Sequence, residues 1–546
     1  MLTRIVRKTL RSLSIPGLIF GFLFFGLSLT PTLMPRSYLV QGTLSGACAA
    51  VGYMIGAGLA WLWHYLEIPQ ITSRRFGSIL IALAFLASFV ALWNAVEWQN
   101  SIRALWHMPR MESFAPFSLA AIALATFLIL LFAGRLFRIA CLYFAAWLNR
   151  FVPRRVSNVI GAGLAALLFW SVGEGVLMRS ALNMVDTSFR EIDALIDDNM
   201  PPPSEVGKTG SSSSYVSWQG LGRQGRNFIS DGPTSEAISR YWKRSASEPV
   251  RVYVGLNNAE TVQQRAALAL QELQRQNAFD RSLLVVIAPT GTGWVDPAAM
   301  DTIEYLHDGD VASVALQYSY LSSWLSLLVE PEEGKEAAAA LFEVVYDYWT
   351  TLPKEHRPRL YLHGLSLGAF NSQLAVDAYS ILGDPFQGAL WSGPPFRSQR
   401  WQSITRLRNE GTPQWLPEFR DGSVVRFANQ AGFPDQEPAP WGPVRFIYLQ
   451  YASDPITFFE PEAAIREPEW MYDPRGPDVS PELTWIPVVT MLQLLFDMMI
   501  ATTSPMGYGH IYAPEHYIDC WVALTDPQVS AGDIENLKAW FHDAMR

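Results

Sequence analysis

The stretch RLYLHGLSLGAF, residues 359–370, decides how the carboxyl half of the chain is read. Its opening, RLYLHG (359–364), is a short apolar run that reads as a buried strand, and from Leu367 a helical pattern runs on to 381. Between them lies Gly364-Leu365-Ser366-Leu367-Gly368. A strand that turns sharply into a helix on two glycines presents the hydroxyl between them without side-chain clashes. The helix N-terminus beneath that hydroxyl favours a developing anion. Ser366 is therefore a candidate nucleophile. A serine hydroxyl is weak at neutral pH, so it needs a base, and the base needs an acid to orient it.

On either side, strand-like and helical patterns alternate. RVYVGL (251–256), SLLVVIAP (282–289), ASVALQYS (312–319), GALWSG (388–393) and VRFIYLQYA (444–452) read as further strands. Residues 259–277, 336–351, 514–524 and 531–545 read as helices. Such alternation predicts a mainly parallel sheet covered on both faces, with its site at the carboxyl ends of the strands. Asp454 follows the last of these strands in Ser453-Asp454-Pro455, and His510 lies in Gly507-Tyr508-Gly509-His510 ahead of the closing helices. The order Ser366, Asp454, His510 suits an elbow of this kind. His516 is the weaker rival, because Pro514-Glu515 places it in the first turn of a helix; His307 and His363 precede the serine. Asp473 and Asp478 are reserve acids in a Pro-rich loop. An oxyanion hole needs two backbone donors. The amide of Leu367 is one, and the glycine-rich loop after 282–289 offers Thr290 or Gly291 as the other; the spacing does not choose between them.

The amino half is of another kind. Of 546 residues, half are hydrophobic and 17% charged, which excludes a disordered chain or a polar coiled coil. The net charge of −9 is split: residues 1–180 carry +11 and residues 181–546 carry −20. Apolar segments at 15–34, 41–65, 77–98, 115–138 and 156–178 predict five transmembrane helices, with the aromatic, amphipathic 139–151 at the interface. Eleven Lys and Arg fall on one side of these segments and four on the other. That bias predicts a cytoplasmic amino terminus and an extracytoplasmic domain after about residue 180. Gly42/Gly46 and Gly52/Gly56 are small-residue pairs suited to close helix packing, within this bundle rather than in a dimer. Glu174, at the end of the fifth segment, reads as a hydrated carboxylate, so a carrier has little support. The expected layout is a membrane bundle over 1–180, a linker and lead-in over 181–248 with a flexible Pro/Gly/Ser stretch at 197–215, and a catalytic domain over 249–546.

The amino-half segments, PTGTGWVDP (289–297), HGLSLG (363–368), YASDP (451–455) and GYGH (507–510) together resemble a family of bacterial membrane-anchored α/β-hydrolases. The resemblance implies a five-helix bundle followed by an α/β-hydrolase domain in the inner membrane, with Ser366, Asp454 and His510 as its triad. A related group removes amino acids esterified to phosphatidylglycerol, which makes an aminoacylated phospholipid a candidate substrate. Three expectations stand side by side: a membrane-tethered serine esterase acting on a lipid ester, a serine peptidase or thioesterase on the same scaffold, and a non-catalytic membrane sensor. Phe396, Trp401, Trp415, Trp441, Phe458, Phe459, Trp470 and Tyr472 suit a membrane-facing cap or an ordinary core equally. No cofactor is expected. Three cysteines without a CxxC, and eight scattered histidines, predict neither a disulfide framework nor a metal site. The pI near 5.5 argues against nucleic acid as a partner and leaves the bilayer and an amphiphilic ester.

Overall fold

The computed structural model describes residues 13–69, 74–170, 200–321, 331–376, 378–434 and 438–545. The chain forms two compact units, one of Met1–Leu182 with Phe459–Thr503, the other of Asn183–Phe458 with Ser504–Arg546.

In the first unit, five helices follow one another: α1 (Ile15–Leu27), α2 (Tyr38–Tyr65), α3 (Arg74–Leu105), α4 (Pro116–Leu148) and α5 (Arg154–Trp170). Three helices among the described residues, Tyr38–Tyr65, Arg75–Leu105 and Pro116–Leu148, are long and apolar enough to cross a membrane, which corrects the expected five. α1 has only 13 residues, because Pro31 and Pro35 cannot extend a helix through 28–36. α5 is described for 17 residues, and the remainder of the fifth expected segment, with Glu174, lies outside the described residues. The expected interfacial stretch 139–151 is no separate element: α4 continues through it to Leu148. The glycine pairs pack inside the bundle. A Cβ on Gly46 would stand 2.5 Å from the Ala123 carbonyl of α4, and one on Gly56 would stand 2.4 Å from the Pro16 carbonyl of α1.

Segment 459–503 belongs to this unit, so the continuous 249–546 domain expected from sequence is interrupted. Its helix Val489–Met499 packs Val489 against Leu44 and Cys48 of α2. Arg36 and Asp497 form a fully buried ion pair at 2.7 Å. Asp497 also accepts the Leu33 amide at 3.2 Å, Arg36 donates to Gln41 at 3.1 Å, and Gln99 accepts the Arg36 amide at 2.8 Å.

The second unit is built on seven parallel strands: β1 (Val250–Val254), β2 (Leu283–Ala288), β3 (Val311–Leu316), β4 (Arg359–Leu365), β5 (Gly388–Ser392), β6 (Val425–Ala428) and β7 (Arg445–Leu449). Their order across the sheet is β1-β3-β2-β4-β5-β7-β6. β1, β2, β3 and β5 are buried throughout, as a sheet covered on both faces requires. β6 escaped the sequence reading because it is a four-residue edge strand interrupted by Arg426.

The expected flexible linker is instead held down over its described part, 200–215. Arg275 donates to the carbonyls of Val206, Gly207 and Lys208. The buried Thr209 hydroxyl donates to the Arg251 carbonyl of β1 at 2.9 Å, and Glu272 accepts from Ser214 and the Tyr215 amide.

Candidate active site

Ser366 stands between the end of β4 and the helix Leu367–Ala375, with φ 58° and ψ −123°. That left-handed conformation costs a non-glycine residue about 1–3 kcal/mol and persists only where its surroundings over-determine it. Two contacts do so here. The Ser366 amide donates to the Ser392 carbonyl at the end of β5 (2.9 Å), and its carbonyl accepts from the Phe370 amide (3.1 Å). Gly368 lets the helix close on the sheet, since a Cβ there would lie 2.1 Å from the Ala288 carbonyl of β2.

Asp454 and His510 are brought together. The Nδ1–H of His510 donates to Asp454 Oδ2 at 2.7 Å, with both side chains buried. The Asp454 carboxylate is held before it meets the histidine: Oδ1 accepts the Ile456 amide at 2.8 Å in the manner of a helix cap, and the Thr457 hydroxyl donates to Oδ2 at 3.2 Å. The Tyr512 hydroxyl donates to the same Oδ2 at 2.7 Å. The histidine loop is tied back by the Gly509 amide, which donates to the Ser453 hydroxyl at 2.9 Å. With Nδ1 committed to Asp454, Nε2 is the nitrogen left to accept a proton, and it is buried without a hydrogen-bond partner. The ring lies over Gly393, whose absent Cβ would stand 2.7 Å from His510 Cε1. Gly393 directly follows Ser392, the residue that fixes the Ser366 amide.

The rival residues lie elsewhere. The Tyr451 hydroxyl accepts the Ala513 amide and donates to His516 Nδ1 at 2.5 Å, which turns that ring to another partner. His363 is a core residue whose Nδ1–H donates to the Leu390 carbonyl, and burial pushes its pKa down to about 4. His307 meets Thr525 at 2.8 Å and is likewise held neutral, at about 3. Asp473 is an exposed partner of Arg475, and the Asp478 carbonyl accepts the Trp106 indole; both belong to the segment packed in the first unit.

The 289–294 loop requires one correction. The Thr290 amide donates to the Trp294 carbonyl and the Thr290 carbonyl accepts the Gly293 amide, each at 2.9 Å. The loop closes on itself, so Thr290 has no amide to offer an oxyanion. The Leu367 amide, at the first helical position, has no acceptor within its own helix. Half of the eight aromatics that suited a cap are core: Trp401, Phe458, Phe459 and Trp470 are buried, with Trp401 donating to Gln450 at 2.7 Å, whereas Phe396, Trp415 and Trp441 are half-buried and Tyr472 is exposed. Sequence reading missed Tyr512 and Ser453 as supports of the site. Both adjoin motif residues, yet nothing in their spacing states which atoms they meet. Among the described residues, no group of three or more His, Cys, Asp or Glu could hold a metal ion.

Comparison with known proteins gives a family. None of the curated proteins and none of the solved structures matches the chain. An alpha/beta-hydrolase family model matches residues 250–537, and the model of the N-terminal part of an alpha/beta-hydrolase family matches residues 29–233. The first match alone spans more than half of the chain, and the parallel sheet, with its strand-turn-helix after β4, agrees with it. The chain belongs to this alpha/beta-hydrolase family.

Proposed function

We propose that this chain is a membrane-tethered serine hydrolase that cleaves a lipid or membrane-associated ester, with aminoacylated phosphatidylglycerol as the specific candidate. The observation that carries the reading is the buried Asp454–His510 pair, whose Nε2 is left to act as base and whose ring lies against Gly393, the residue after the Ser392 that holds the strained Ser366 elbow. In the proposed reaction His510 Nε2 takes the Ser366 proton as Oγ attacks the ester carbonyl carbon. The resulting oxyanion is received by the Leu367 amide and a second backbone amide of the 289–294 loop. Collapse breaks the bond to the alcohol, which leaves with the proton from His510. Water then repeats the sequence on the acyl-serine and frees the acid. Asp454 keeps the tautomer and favours the imidazolium that forms.

Three features support a lipid-facing task. The membrane-length helices expose large apolar side chains, among them Trp93, Phe117, Ile129 and Tyr143, as lipid contact demands. The net charge of −20 after residue 180 suits a cationic aminoacyl headgroup. Segment 459–503 packs at the end of the bundle where residues 28–36 and 101–106 lie, whereas Arg74, Arg75 and Arg150 lie at the far ends of their helices. By the positive-inside rule, our reading puts the basic end in the cytoplasm of a bacterial inner membrane and the hydrolase domain outside.

A fluorophosphonate probe applied to membranes is expected to label the wild type and not Ser366→Ala. Lipid extracts of a Ser366→Ala strain are expected to accumulate aminoacyl-phosphatidylglycerol. Absence of Ser366-dependent labelling would overturn the serine mechanism, and unchanged aminoacyl-lipid would remove that substrate. A phosphatase fusion after residue 200 that is inactive would overturn the orientation.

A further inference from the structure

We infer that Asp296 is a positioning residue for the proposed acyl transfer, tying the 289–297 loop to the carboxyl-terminal arm that carries His510. The inference rests on the reading of Ser366, Asp454 and His510 given above.

Asp296 caps the helix Pro297–Leu306, with Oδ1 accepting the Ala298 amide at 3.0 Å. Capping uses one oxygen, and an exposed Ser, Thr or Asn performs it as well. Asp296 is buried, and its second oxygen has a separate partner: the Tyr517 hydroxyl donates to Oδ2 at 2.9 Å. Tyr517 is fully buried in Pro514–Thr525, the helix that follows His510, and Trp521 of that helix donates to the Ala299 carbonyl at 2.8 Å. The arrangement is paired. Tyr512 and Tyr517 lie five residues apart on one arm, with ring centroids 6.3 Å apart. Tyr512 holds Asp454, the carboxylate after β7, and Tyr517 holds Asp296, in the loop after β2.

The buried charge has a consequence for His510. Asp296 and the His510 imidazolium attract one another, so an ionised Asp296 favours the cation that forms as Ser366 loses its proton. The Asp296 carboxyl is raised to about 7 by the balance of its surroundings, with burial the largest influence. Asp301 acts with burial to raise it, whereas the Tyr517 hydroxyl, the Ala298 amide and His510 hold it down. Above that pH the charge is present, and below it Asp296 becomes neutral and the support is lost.

The test uses the full chain in detergent and the rate of fluorophosphonate labelling from about pH 5 to 9, in the wild type, Ser366→Ala, Asp296→Asn and Tyr517→Phe. Labelling of the wild type and none of Ser366→Ala establishes the site; failure there sinks the triad reading itself. Asn keeps the volume and, with Oδ1 on the Ala298 amide, the cap; its Nδ2 then donates to the Tyr517 hydroxyl where Oδ2 had accepted from it. Asp296→Asn is therefore expected to keep its thermal unfolding temperature, to label about ten-fold more slowly above pH 7, and to lose the inflection near that pH. Tyr517→Phe should slow labelling in the same direction. Wild-type rates and an unchanged profile in both variants would overturn the inference. Infrared difference spectra give a readout independent of turnover. In the Ser366→Ala background a buried carboxyl band should titrate near pH 7 and vanish in Ser366→Ala/Asp296→Asn; no such band would also overturn it.

Discussion

Asp454 accepts hydrogen bonds from the Ile456 and Thr457 amides, the Thr457 hydroxyl, His510 and Tyr512. Donors of this number fix the buried carboxylate and aim it at one nitrogen of the imidazole. Three predictions belong at this scale. Asp454→Asn should lower kcat on a generic aryl ester by about 10³–10⁴, through loss of the tautomer. Tyr512→Phe should lower kcat by only about ten-fold, since one charge-assisted hydrogen bond of about 1.5–3 kcal/mol is removed while the backbone donors remain. A kcat equal to the wild type in Tyr512→Phe would show that its hydroxyl is idle. A third concerns His363, whose pKa is depressed by burial. Its unfolded value lies near 6.5, so its contribution to stability is full above that pH and declines as pH falls from about 6.5 to about 4. The decline is about 1.4 kcal/mol per unit. His363→Gln should flatten the pH dependence of unfolding across this window, which chemical denaturation at several pH values can read.

At the scale of elements, the elbow depends on how closely the Leu367–Ala375 helix approaches β2. Gly368→Ala places a methyl 2.1 Å from the Ala288 carbonyl, so the helix must move or the elbow must relax. The expected outcome is a loss of several kcal/mol in thermal unfolding, together with loss of Ser366 labelling. The same comparison separates what was legible from what was not. β4, the turn and its helix were visible because apolar run, glycine punctuation and helical pattern all agree over 359–375. β6 was not, because an edge strand of four residues lacks a run long enough to read. The Thr290 amide could not be excluded from sequence, since a glycine-rich loop that opens toward a site and one that closes on its own Trp294 carbonyl share the same residues.

The whole molecule departs from a bundle followed by a separate domain. Between Asp454 and His510 the chain leaves the hydrolase unit, contributes 459–503 to the helical unit and returns. Arg36–Asp497 is the buried ion pair among the polar contacts that join this segment to the amino half. Removing one member of a buried pair strands the other charge, which costs about 3–5 kcal/mol, whereas replacing both with apolar residues is often neutral. Arg36→Met is therefore expected to lower the unfolding temperature markedly, and Arg36→Met/Asp497→Leu to recover most of the loss. A double variant as unstable as the single would show that the surrounding glutamines, not the ion pair, hold the segment.

The charge split, the apolar helices, the alternation of strand and helix, and the order of Ser366, Asp454 and His510 were all determined by local patterns in the sequence. Each depends on residues close together in the chain. Tertiary structure alone decided that 200–215 lies against β1, that Asp497 seeks Arg36, and that Tyr512 and Tyr517 each address a carboxylate. Asp497 and Arg36 are 461 residues apart, and Tyr517 and Asp296 are 221 apart. No periodicity records such distances. A buried polar group takes whichever partner the packed fold brings within reach.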